Sequence, residues 1–431
     1  MSDPMIGLVG MGCLLALILF RVPIGMAMIL VSAAGITYLL DFTIMLGQLR
    51  SLPYEFSANW ALSSVPTFLA MGYVCFYARL TTGLFKLAKL WLAKLPGGMA
   101  ISTIFASAGF AAMSGSSIAS AAAMGRIAVP EMVESGYKPA LAGAVVAASG
   151  TLGALIPPSI LLILYGIFVQ QPIGKLFLGG LALGLLTTVV YATVILVWAT
   201  LRPQDAPMVD ADNLPDERKE ALKETFPAIL LVVATFGGLF AGMFTPTEAG
   251  AFGAFVAVCI GFIGRTLSWN GFLKAMEETV STTCVIFIIS IGANLTVRFL
   301  ALSGADEFIS NWIIATDLTS FQFLFVVVII YLILGMFLEP VGSMLLTLPI
   351  LFPTILALGI NPIWFGVVLV KLLEVGMLTP PVGMNVFVIK SVMDDMCSLG
   401  ALFKAVIWFV LIDLAIVWLI IIYPDIILFL I

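Results

Sequence analysis

The stretch Gly143-Ala-Val-Val-Ala-Ala-Ser-Gly-Thr-Leu-Gly-Ala-Leu-Ile-Pro-Pro-Ser159, continued by apolar sequence to Phe168, reads as a membrane helix broken in its middle. The Pro157-Pro158 pair removes two amide donors and blocks the preceding turn, so carbonyls between Gly150 and Ile156 lose their helical partners. In hydrocarbon each orphaned group costs several kcal/mol, so such a break persists only where protein, water or an ion satisfies it. Interrupted helices of this kind mark ion and substrate sites in membrane carriers. The signature recurs at Glu374-Val-Gly-Met-Leu-Thr-Pro-Pro-Val-Gly-Met-Asn385.

The rest of the chain agrees with a membrane setting. Of 431 residues, 62% are hydrophobic and 10% charged, which excludes a soluble globular fold and defines an all-α polytopic membrane protein. The N-terminal run from Met5 to Phe20 lacks a preceding basic region and is expected to be a retained helix. A net charge of −5 argues against nucleic acid as a partner. The five cysteines, Cys13, Cys75, Cys259, Cys284 and Cys397, have no ligand spacing and are expected to be small buried hydrophobes. With no histidine in the chain, any ion coupling falls to carboxylates, hydroxyls or backbone carbonyls.

Residues 99–133 hold two apolar runs around the polar tip Ser114-Gly-Ser-Ser117. Each run is roughly 14 to 16 residues, short of the roughly 20 needed to span, so a re-entrant hairpin is expected. A second hairpin is expected over 320–358, with its tip at Gly335-Met-Phe-Leu-Glu-Pro-Val-Gly342. The two hairpin-plus-broken-helix units align without a gap over 113–160 at an offset of 223 residues. Twelve of those 48 positions are identical, and seven of the twelve are Gly or Pro, including Pro130/Pro353, Gly136/Gly359, Pro139/Pro362, Gly153/Gly376 and Pro157/Pro380. That register identifies a duplicated unit.

Placing the basic segment with Arg79, Lys86, Lys89 and Lys94 on the cytoplasmic side leaves only Arg50 and Lys175 outside, apart from Arg126, Arg298 and Lys371 in membrane segments. Five crossings, at 140–169, 175–201, 226–242, 244–263 and 280–302, then separate equivalent points of the units. An odd number makes the repeats inverted, the architecture of alternating access. The resulting division is 1–98, first scaffold helices and an interfacial arm; 99–169, the first repeat; 170–319, scaffold helices with an exposed linker at 202–225; 320–393, the second repeat; and 394–431, a C-terminal helix.

Met-Ser-Gly-Ser-Ser-Ile-Ala at 113–119, Ala-Ser-Gly-Thr-Leu-Gly-Ala-Leu-Ile-Pro-Pro-Ser at 148–159, Phe-Thr-Pro-Thr-Glu-Ala at 244–249 and Thr-Pro-Pro-Val-Gly-Met-Asn at 379–385 resemble the large membrane subunit of the TRAP (tripartite ATP-independent periplasmic) transporters. The resemblance covers essentially the whole chain. It implies a sodium-coupled, elevator-type carrier of the ion transporter superfamily in the bacterial inner membrane, importing a small organic acid such as a sugar acid, sialic acid or a C4-dicarboxylate. It also implies two partners on separate polypeptides, a small four-helix membrane subunit and a periplasmic substrate-binding protein. A self-sufficient dicarboxylate or cation carrier of the same superfamily is the alternative, and a non-transport membrane subunit a more distant one. Sodium as the coupling ion is the only metal expected, with no cofactor. No nucleophile elbow, metal motif or histidine base accompanies the serines and lysines, so enzymatic activity is not expected.

Sodium takes oxygen ligands, and carbonyls freed at a helix break supply them without burying a charge. The first expected sodium site joins Ser114, Gly115, Ser116 and Ser117 to Gly150, Gly153 and Ile156. By the repeat, the second joins Gly335, Glu339, Pro340 and Gly342 to Gly376, Thr379 and Val382. Ser116, Ser159, Arg298 and Asn385 are the candidate substrate residues, with Arg298 meeting a carboxylate and Glu339 tuning a cation or gate. The competing reading of the small residues is close helix packing. For Arg298 and Glu339 it is an ion pair with each other or with other buried polar groups, and Lys371 and Glu374, three apart, are expected to pair.

Overall fold

The computed structural model describes residues 3–208, 214–316 and 318–430, and every regular element among them is helical. Helices α1 (Asp3–Leu19), α2 (Ile24–Leu39) and the amphipathic α3 (Phe42–Ser57) lead into α4 (Ser64–Tyr77) and α5 (Leu80–Leu92). The first repeat comprises α6 (Gly98–Ser114), α7 (Ser117–Glu134), α8 (Pro139–Gly150) and α9 (Ile160–Phe168). Between the repeats lie α10 (Ile173–Leu201), α11 (Leu214–Phe240), α12 (Pro246–Ile263), α13 (Trp269–Ser303) and α14 (Ala305–Ala315). The second repeat is α15 (Ser320–Gly335), α16 (Pro340–Ala357), α17 (Pro362–Gly376) and α18 (Met384–Met393), followed by α19 (Leu399–Ile422) and the short α20 (Asp425–Leu428). Seven helices among the described residues are long and apolar enough to cross a bilayer, whereas α6, α15 and α18 are apolar but short.

The two repeats are built by the same local devices. Gly115 takes φ +65° to end α6, and Ser116 caps α7 by accepting from the Ala119 amide. At the aligned position Glu339 caps α16, accepting from the Gly342 amide at 3.1 Å. Gly136 and Gly359 turn the chain with φ of +87° and +66°, and Pro139 and Pro362 open α8 and α17. Each broken helix then stops. Gly150 ends α8, a single 3₁₀ turn follows over Thr151–Ala154, and Gly376 ends α17. The Pro157–Pro158 and Pro380–Pro381 bonds are both cis.

Small residues let these helices approach closely. Gly335 and Gly376, the last residues of α15 and α17, lie backbone to backbone. Tyr165 on α9 covers Gly366 of α17 and donates to the Pro362 carbonyl at 2.6 Å, stitching the two broken helices together. Among the helices outside the repeats, α2 meets α13 through a Ser32–Thr296 hydroxyl hydrogen bond of 2.9 Å. Gly250 and Gly253 of α12 make room for Thr67, Phe68 and Met71 of α4.

Two expectations need correction. Residues 202–225 are not an exposed linker throughout, because helix α11 begins at Leu214; residues 209–213 of that stretch lie outside the described residues. The segment is rich in helix formers, its Ala221 and Thr225 are buried, and Glu224 pairs with Lys86 of α5 at 2.9 Å. Of the cysteines only Cys75 is buried; Cys13 and Cys284 are exposed on α1 and α13, an apolar thiol being as compatible with an outward apolar face as with a core.

A methyl group on Gly376 would sit 2.5 Å from the Gly335 Cα, which has no flexible side chain to yield. Gly376→Ala is expected to lower stability by about 1–3 kcal/mol. The measurement is thermal unfolding in detergent beside Gly400→Ala, whose new methyl meets nothing within 4 Å.

Candidate functional site

A cavity of about 880 Å³ opens between the first hairpin tip and the helices around it, within the roughly 300–1,000 Å³ usual for small-molecule sites. Much of its lining is made of helix starts. Ile24 and Gly25 of α2, Ser117 and Ile118 of α7, Ile160 and Leu161 of α9, and Pro340 and Val341 of α16 all line it. The first turns of four helices therefore border one space, and a helix N-terminus carries partial positive charge. Tyr73, Phe76, Glu278 and Thr282 form the facing wall, and Glu339 and Glu374 also border the space.

The first expected sodium set is largely brought together. Ser114 Oγ shares a hydrogen bond with Ser120 Oγ at 3.0 Å, and the Gly115 carbonyl accepts from the Ile160 amide at 3.5 Å. Gly153 in the 3₁₀ turn lies directly against the Ser116 carbonyl; a Cβ there would be 2.6 Å from that oxygen. Gly150 packs on Ala121 of α7. Ile156 stands apart: its side chain is turned onto Gly184 of α10, and its amide donates to Leu152 at 2.9 Å. The tip carries three hydroxyls, bonded to Ser120, the Ala119 amide and Glu374, beside the Gly115 and Ser116 carbonyls.

The second set is brought together only in part. Gly335 meets Gly376, and Thr379 donates its hydroxyl to the Val375 carbonyl at 2.7 Å, leaving the oxygen's lone pairs free. Glu339 and Pro340 begin α16 at the cavity edge, but Gly342 faces Ile24 of α2 and Val382 is 36% exposed.

Among the substrate candidates, Ser116 lines the cavity. Ser159 is fully buried, its hydroxyl bonded to the Ala154 carbonyl and the Leu162 amide, so it stabilises the break itself. Asn385 is fully buried at the start of α18. Arg298 does not reach the cavity and does not pair with Glu339. Its Nη2 lies 3.7 Å from Glu55 Oε2, both side chains substantially exposed, because α13 turns that face toward α3.

Lys371 and Glu374 do not pair either. Helix α17 is enclosed on all sides, so each side chain finds a tertiary partner instead of its neighbour one turn away. Lys371 Nζ lies 2.5 Å from Asp413 Oδ1 of α19, both side chains fully buried, with the Tyr191 ring centre 5.6 Å from the ammonium. Glu374, also fully buried, accepts from Ser117 Oγ at 3.1 Å and so ties the second broken helix to the tip of the first hairpin. Asp413 and Arg126, both prominent in this region, were absent from the sequence-based site. Their signal was a charge in the middle of an apolar run, which names a buried or lumenal position without naming its neighbour.

Two hairpins whose tips meet two interrupted helices beside one cavity define a permease-type membrane protein built from a repeated unit. Residues 11–426 match the model of the family described as tripartite ATP-independent periplasmic transporter, DctM component, and the chain belongs to that family as a large membrane subunit. It is 37% identical over 361 residues to the C4-dicarboxylate TRAP transporter large permease protein DctM of Pseudomonas aeruginosa, covering 82% of each chain. To the sialic acid TRAP transporter large permease protein SiaM of Vibrio cholerae it is 32% identical over 337 residues, 78% of each. Among solved structures, the Alcanivorax borkumensis YdaH transporter superposes with a TM-score of 0.61 at 15% identity, over 89% of both chains, a likeness of fold alone.

Removing one partner of the buried ion pair strands the other charge. Lys371→Met alone is expected to cost about 3–5 kcal/mol, and the Lys371→Met/Asp413→Leu double variant to recover most of it. Unfolding midpoints of the four proteins in a double-mutant cycle measure this.

Proposed function

We propose that this chain is the large membrane subunit of a sodium-coupled secondary transporter that imports a small organic acid. A periplasmic substrate-binding protein delivers the solute, and a small four-helix membrane subunit completes the complex. The observation that carries the reading is the convergence of four helix N-termini on one cavity bordered by the Ser114–Ser117 tip. Amide ends favour a carboxylate over a neutral solute, and the neighbouring oxygen cluster favours a hard monovalent cation. Binding both side by side couples them, since each lowers the electrostatic cost of the other.

The relatives support an organic acid as solute, as their names give C4-dicarboxylate and sialic acid. The inverted pair of hairpins supports alternating access in which the two repeats move together, elevator fashion, against α1–α5 and α10–α14. In that motion the Tyr165–Pro362 and Ser117–Glu374 contacts, each joining one repeat to the other, keep the moving body intact.

The test is uptake into proteoliposomes holding the complete complex, with sialic acid and succinate as probes, under an imposed sodium gradient. Uptake is expected to require both sodium and the binding protein, and Ser116→Ala and Thr379→Val are expected to raise the sodium concentration for half-maximal uptake several-fold. Unchanged sodium dependence in both variants overturns the ion assignment, and uptake without a binding protein overturns the three-component reading.

A further inference from the structure

The cavity's charges are unevenly distributed. Glu278, Glu339 and Glu374 border it, and Arg126 is the one cation that lines it among the described residues. On α7 the lining residues are Ser117, Ile118, Ala119, Ala122 and Arg126, of which Ile118, Ala122 and Arg126 are spaced four apart and therefore stacked on one face. The face runs from the hairpin tip through an apolar side chain and a small one to Arg126, whose Cα lies about 14 Å along the helix axis from that of Ser117. Arg126 is exposed and makes no ion pair among the described residues, unlike Lys86, Lys89, Lys138, Arg298 and Lys371. The carboxylate on the opposite wall, Glu278, is held by Tyr77, whose hydroxyl donates to it at 2.5 Å.

An organic anion crossing this space meets three acidic side chains. The influence of a helix amide end fades within a turn. Arg126 lies beyond the first turn of α7, and its planar guanidinium fork matches a carboxylate with two parallel hydrogen bonds. We propose that Arg126 is a specificity-determining residue of the transport site, receiving the solute's carboxylate at its end of the α7 face, away from the hairpin tip. The proposal rests on the organic-acid reading above and assigns the anion-recognition role expected of Arg298 to a different side chain. A second carboxylate on the solute, or a polar tail, would then lie toward the Ser116–Ser117 tip.

The experiment measures half-saturating concentrations of succinate and sialic acid in sodium-driven uptake by the complete complex, for wild type, Arg126→Gln, Arg126→Lys and Glu278→Gln. Arg126→Gln is expected to raise the value about tenfold for whichever probe the wild type carries, with Arg126→Lys between the two. Glu278→Gln, which keeps an acceptor for Tyr77, is expected to lower it. Raising ionic strength is expected to weaken the wild type more than Arg126→Gln, a screening effect that loss of packing does not produce. Melting temperatures of the variants establish that each is folded. Wild-type uptake with the half-saturation and salt dependence of Arg126→Gln unchanged overturns this proposal alone. Failure of the wild type to carry either acid overturns the organic-acid reading and this proposal with it.

Discussion

A helix that stops inside hydrocarbon must give its loose amides and carbonyls to something, and two helices of this chain stop there. Much of the central packing answers that demand. Ser159 bonds the Ala154 carbonyl and caps the next helix, the Gly115 carbonyl takes the Ile160 amide, and the Met377 carbonyl takes the Asn385 amide. The protein thereby places the first hairpin tip against the first break, where Gly153 leaves no room for a side chain beside the Ser116 carbonyl. Polar backbone in the middle of a membrane protein is thus confined to where it can face oxygen ligands, a solute or water.

The same demand explains why the repeats interlock. A broken helix is two short segments, neither held by its own length, so each must be fixed by packing. Tyr165 binds the two breaks' helices to each other, Gly335 and Gly376 bring α15 and α17 into backbone contact, and Lys371 with Asp413 fastens α19 to α17. A buried ion pair is a poor source of net stability, since desolvation offsets most of the attraction. A charge without its partner is strongly unfavourable, so the pair disfavours registers of α19 against α17 that would separate them.

The cavity inherits its chemistry from these constraints. Hairpins and breaks bring helix starts together, and helix starts carry positive potential, which the topology supplies before any charged side chain is added. Side chains then refine it. Glu339 caps one of those helices, Glu374 is engaged by Ser117, and Arg126 stands on the α7 face away from the hairpin tip.

The membrane class, the duplicated unit, the hairpins and both breaks were legible in the sequence, because Pro-Pro pairs, a Gly-Ser tip and a Gly/Pro register are local chemistry with local consequences. The polar hairpin tip at Ser114–Ser117 was legible for the same reason. What only the tertiary structure decided was the pairing of charges: Lys371 with Asp413 rather than Glu374, Arg298 with Glu55 rather than a solute, and Arg126 facing the cavity. Helical spacing says which side chains share a face, and here the enclosed faces of α17 point toward different helices. An ionic partner 42 residues away in sequence is chosen by where those helices pack, and that choice leaves no trace in either segment alone.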